Sequence, residues 1–118
     1  MKKPTTATIK KIIIETLDES KTLDIQALDI TKLTDIADYM IIATANSTVH
    51  VKALVDKVSE KLKSSGIKPI GTEGENTKEW MLIDFGDVIV HIMIKNIREF
   101  YNLEKLWEFE KIKPNRKK

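Results

Sequence analysis

Two runs, 79–85 and 87–94, are rich in β-branched and aromatic residues and are parted by little more than Gly86, which leaves a β-hairpin as the natural reading. Pleating sorts their side chains onto two faces. Met81, Ile83, Phe85, Val88, Val90 and Ile92 fall on one, which is uniformly apolar and must be core. Trp80, Leu82, Asp84, Asp87, Ile89, His91 and Met93 fall on the other, which mixes a large aromatic, aliphatic groups, carboxylates and an imidazole. A turn that pairs Asp84 with Asp87 sets Leu82 opposite Ile89 and Trp80 opposite His91.

An apolar sheet face needs a covering layer, and the rest of the chain supplies one. Ile9, Ile12, Ile13 and Leu17 recur at three- and four-residue spacing and predict a helix over 6–19. Val51, Leu54, Val55, Val58 and Leu62 predict a second, capped by Asn46 or Ser47 and ended by Gly66. Segments 24–30 and 39–45 read as strands, the second almost wholly apolar and so central. Between them, 31–38 is too polar and too short for another buried element. Segment 68–72 suits a short edge strand, where Pro69 need not donate to a ladder. A last helix is expected over 97–109, with Ile97, Phe100, Leu103 and Trp107 along one stripe. The expected architecture is a single α/β domain over 1–110, a mixed β-sheet with packed helices, followed by a basic tail over 111–118.

Composition narrows the function. A chain of 118 residues without cysteine has no disulfide framework and no cysteine-ligated metal, and a reducing, cytoplasmic setting is expected. No apolar run is long enough to cross a bilayer, so no membrane partner is expected. The formal charge of +2 is uneven: five basic residues crowd the last eight positions, whereas 4–110 carries 13 basic against 18 acidic side chains. An acidic body suits a basic partner. The tail suits solvation or loose contact with nucleic acid.

The mixed hairpin face resembles a recognition surface, with an aromatic anchor for buried area and polar neighbours for orientation. It equally suits a face partly covered by a helix. Asp84 and Asp87 are close enough at a tight turn to hold magnesium, but there is no glycine-rich phosphate loop with a following lysine, and aspartates beside a turn glycine are ordinary turn formers. Asp87 and His91 stand about 13 Å apart along a strand, too far to share a metal ion. His50, in the first turn of the second helix, and His91, expected against Trp80, read as packing or interface residues. No catalytic residue, metal or cofactor is expected. Between β-runs, Gly71, Thr72, Glu73, Gly74, Glu75 and Asn76 form a flexible acidic loop whose two glutamates suit basic groups on a partner.

A longer series of residues carries a specific likeness. Leu28-Asp29-Ile30, Leu33 through Tyr39, Ile41 to Ala45, Ser47 with His50, Gly71 with Glu73-Gly74, Trp80, Ile83 through His91, then Arg98, Tyr101 and Leu103 through Trp107 together resemble the bacterial ribosomal silencing factor, or Iojap-related, family. The likeness spans 6–108. It implies a nucleotidyltransferase-like fold used for binding rather than catalysis. It further implies docking on the large ribosomal subunit, chiefly through its conserved protein numbered fourteen, so that the small subunit cannot join and translation is silenced when nutrients are scarce. Organelle relatives are associated with large-subunit assembly, and a homodimer is implied for the free protein. The expected partner-binding residues are Glu73, Glu75, Trp80, Leu82, Asp84, His91 and Tyr101, with ribosomal RNA contacted at most weakly by the tail. One departure stands out: the family commonly has Ser-Ser-Arg-His where this chain has Ser47-Thr48-Val49-His50.

Overall fold

The structure, a computed structural model, describes residues 5–102. Thr5 starts the first helix, α1 (Thr6–Glu19), by accepting the Thr8 backbone N–H on its hydroxyl at 3.1 Å. Strands β1 (Leu23–Asp29) and β2 (Tyr39–Ala45) follow, then helix α2 (Thr48–Ser64), strands β3 (Gly71–Glu73), β4 (Trp80–Asp84) and β5 (Val88–Ile94), and helix α3 (Lys95–Tyr101). Of the two candidate caps for α2 it is Ser47 that serves, its Oγ accepting the His50 N–H at 3.1 Å. Gly66, at φ +84°, takes the left-handed turn just past the helix end.

The strands form one sheet in the order β1-β2-β5-β4-β3. Only β2 and β5 run parallel; the other three pairings are antiparallel, which makes the sheet mixed as expected. Both long helices lie on one face. There Ile13 and Leu17 of α1 and Leu54, Val58 and Leu62 of α2 bury against Ile41, Met81, Ile83, Val90 and Ile92. Full removal of each such side chain from water contributes about 1.5–3 kcal/mol, so this layer dominates the stability of the fold.

The opposite face has a smaller core of Ile30, Ala37, Met40, Ile42 and Met93, with Leu33 and Ile97 packed at its edge. Segment 31–38, expected to stay out of the core, drapes across β1 and β2 and contributes to this cluster. Its path is fixed by backbone hydrogen bonds from Ile30 N–H to the Asp38 carbonyl at 2.9 Å and from Asp38 N–H to the Asp87 carbonyl at 2.8 Å.

Two expectations are corrected. In the hairpin, Asp84 pairs with Ile89 rather than with Asp87, so Leu82 faces His91 and Trp80 faces Met93. The loop is Gly86-Asp87, closed by Phe85 N–H to the Val88 carbonyl at 3.0 Å, with Gly86 at φ +94° in the first central position, where the strand twist favours positive φ. A shift of two residues leaves the paired side chains of β4 and β5 on their predicted faces. In α3, Ile97 packs against a core as expected, but Phe100 of the same expected stripe is 78% exposed and Arg98, outside it, only 5% exposed. The helix starts at Lys95 directly after β5, and that phase turns the Arg98 guanidinium inward, where it donates to Thr44 Oγ1 at 2.8 Å and to the Asp24 carbonyl. Leu103, Trp107 and the tail lie outside the described residues.

Candidate functional site

The sheet register lays out the second face in rows. One row reads Ile42, His91, Leu82, Glu73 and the next reads Thr44, Met93, Trp80. The draped segment covers the β1–β2 side of these rows. On the β4–β3 side Leu82 and Asp84 stay half-buried and Glu73 is exposed, so this end of the face is open to a partner.

Trp80 holds the centre. Although it pairs with Met93 in the ladder, its ring reaches diagonally to His91, with centroids 5.8 Å apart, and its Nε1–H donates to His91 Nδ1 at 2.9 Å. His91 is 6% exposed, and burial pushes its pKa down to about 4. At neutral pH it is therefore uncharged, accepting at Nδ1 and carrying its proton on Nε2. Tyr101 of α3 also meets the indole, ring centroids 4.9 Å apart, while remaining 52% exposed. Phe100 meets Tyr101 edge-on at 4.9 Å.

Glycine at position 74 sets how the acidic loop meets this centre. Gly74 has φ +94°, and a Cβ built there would lie 2.1 Å from the Trp80 carbonyl oxygen, so only glycine lets the loop rest on the β4 backbone. The loop then splits its two glutamates. Glu73 shares the open face with Leu82. Glu75 follows beyond the end of β3, outside the paired rows, and near enough to Lys52 of α2 to help raise its pKa after the larger effect of the Asp56 hydrogen bond.

The two turn aspartates also part company. Asp84 Oδ1 accepts the Gly86 N–H at 2.8 Å, which stabilises the turn. Asp87, predicted on the Trp80 face, instead accepts the Thr6 hydroxyl at 3.1 Å, because position 87 belongs to the turn rather than to the pleat and swings toward α1. Among the described residues no three His, Cys, Asp or Glu side chains gather as a metal site. His50 ties two helices: Nδ1 accepts the Asn46 N–H at 2.9 Å and Nε2 lies 3.1 Å from the Ser20 carbonyl, which the Nε2–H tautomer satisfies. Val49, where the family commonly has arginine, is 77% exposed and takes no part in the core.

Thus the structure brings Glu73, Trp80, Leu82, Asp84, His91 and Tyr101 to one face and sets Glu75 aside. Sequence reasoning missed Phe100 as a surface residue and Gly74 as an obligatory close contact. The first follows from the helix starting directly after β5, which the sequence did not mark, and nothing local marked the second.

The chain is similar to known proteins along most of its length. The family model described as "Ribosomal silencing factor during starvation" matches residues 3–118. Ribosomal silencing factor RsfS of Chromobacterium violaceum is 45% identical over 103 residues, covering 87% of this chain and 84% of that protein. A crystal structure of a protein from the same organism superposes with a TM-score of 0.86 at 43% identity, covering 89% of this chain and 88% of its own. The mouse protein named "Mitochondrial assembly of ribosomal large subunit protein 1" is 30% identical over 99 residues, covering 81% of this chain and 43% of that protein.

Proposed function

This chain belongs to the ribosomal silencing factor family, and from that membership together with its open, aromatic-centred face we propose that it represses translation by docking on the large ribosomal subunit and blocking the small subunit. The partner in this reading is the conserved large-subunit protein numbered fourteen, and the setting is the cytoplasm under nutrient limitation. The observation that carries the reading is the Trp80 cluster: a half-buried indole held by His91 and Tyr101, with Leu82 and Glu73 beside it on the uncovered part of the sheet. An aromatic anchor of this kind, once fully buried by a partner, contributes roughly 2 kcal/mol or more. In this reading the role is binding rather than catalysis, and the turn aspartates serve the fold, Asp84 in its turn and Asp87 at Thr6 of α1. A homodimer in the free state belongs to the same reading.

The test mixes the protein with purified mature subunits and follows joined ribosomes on a gradient. Joining is expected to fall with the native protein and to recover when Trp80→Ala and Glu73→Lys are combined in a chain that still unfolds cooperatively. A folded double variant that blocks joining as well as the native chain overturns the proposed site. The name of the mouse relative favours a second reading, large-subunit assembly. Retention of the protein on immature large subunits alone, with mature subunits joining freely, would select it.

A further inference from the structure

α3 is short, and its residues divide cleanly by direction. Ile97 packs toward the second core and Tyr101 toward Trp80. Lys95, Arg98, Glu99 and Asn102 line a cleft of about 370 Å³ against Leu23, Asp24 and Thr44. Phe100 is left facing outward, 78% exposed, at the end of a run of four rings: His91, Trp80, Tyr101, Phe100. Exposure therefore rises along the run from the 6% of His91 through the 52% of Tyr101 to the 78% of Phe100. Among the described residues the Phe100 ring meets Tyr101 edge-on and belongs to neither core cluster.

From this arrangement we infer that Phe100 is a further contact residue of the partner surface, forming with Tyr101 a seat for an arginine side chain of a basic protein. The inference rests on the partner reading given above. A guanidinium is planar and weakly hydrated: it stacks on an aromatic face while its N–H groups reach a carboxylate. Phe100 supplies the face, and Tyr101 meets it at an interplanar angle of 85° and buttresses it. The charge of the molecule selects the kind of partner. Residues 4–110 carry an acidic excess, and Glu73 and Asp84 lie on the same uncovered face, so a phosphate backbone is repelled where a basic protein is attracted. Arg98 makes the seat possible indirectly. By taking the inward position of α3 it turns the aromatic residue two places on toward solvent.

The experiment measures binding of the full chain to the isolated large-subunit protein numbered fourteen, with thermal unfolding of each variant recorded alongside. Phe100→Ala is expected to weaken binding about 5-fold or more and Phe100→Tyr to retain native affinity. Where alanine lowers the thermal midpoint, Phe100→Leu decides the matter, because it keeps apolar bulk and removes the ring face. Native affinity in both the alanine and leucine variants overturns the inference. If Glu73→Lys weakens binding in that case, the partner reading survives alone; if Glu73→Lys and Trp80→Ala also bind like the native chain, that reading falls too. A Phe100 effect confined to binding of a single-stranded RNA oligonucleotide likewise overturns the inference.

Discussion

His91 is the residue at which the chemistry of the face meets the stability of the fold. Its pKa is lowered from 6.5 to about 4 by burial, so the unfolded chain takes up a proton before the folded one does. The resulting contribution is complete above pH 6.5 and is lost as pH falls from there toward 4. A shift of this size corresponds to about 3 kcal/mol. Protonation at Nδ1 would also set two N–H donors against each other at the 2.9 Å contact with Trp80. His91→Asn, which keeps an acceptor for the indole without titrating, is expected to flatten the fall in stability between pH 6.5 and 4 relative to the native chain. Denaturant melts across that range would show it, and parallel pH profiles for the two proteins would refute it. The Trp80–His91 contact itself was legible from shared face and proximity in the hairpin. The route was not: the rings meet diagonally, because alternation fixes which face a residue occupies but not which cross-strand partner it takes.

At the scale of elements, the segment joining β3 to β4 is the most tightly constrained piece of the site. Gly74 holds φ +94°, presses against the Trp80 carbonyl, and accepts the Lys78 N–H at 3.0 Å. Gly74→Ala combines a disfavoured backbone conformation with a collision against main chain that has no rotamer to escape into. A loss on the order of 2–3 kcal/mol is expected, with Glu73 displaced from the open face. Chemical denaturation measures the first effect, and reduced affinity for the large-subunit protein reports the second. An alanine variant as stable as the native chain would show that the loop has another path. The boundaries of α1 and β2 were readable because their apolar patterns are long and unbroken. The orientation of α3 was not, since a seven-residue helix takes its phase from the strand it leaves, and an inward arginine inverts the usual rule that charge marks the outside.

For the molecule as a whole, the sequence made the mixed sheet legible, and it marked the two-sided hairpin as the element that bears the proposed site. It did not reveal that both long helices would share one side, because amphipathic stripes say that a helix packs without saying on which face. That uneven dressing follows from an arrangement with a kinetic meaning. The partners in the parallel pairing of β2 with β5 stand 49 positions apart along the chain, whereas those of the β4–β5 hairpin begin 5 apart and those of β1–β2 begin 10 apart. Each hairpin is thus cheap to close, and the seam between them bears the greatest loop entropy. Refolding is expected to wait on that seam. Ile41→Val and Val90→Ala should slow folding, while Leu28→Ala, at the outer strand, should chiefly quicken unfolding. Stopped-flow chevrons with the opposite partition would place the nucleus elsewhere. On this route the sheet is two local ribbons until its middle joins, and the face that holds Trp80 comes into being only at that moment, since Ile42 and Thr44 arrive on one ribbon and His91 and Trp80 on the other.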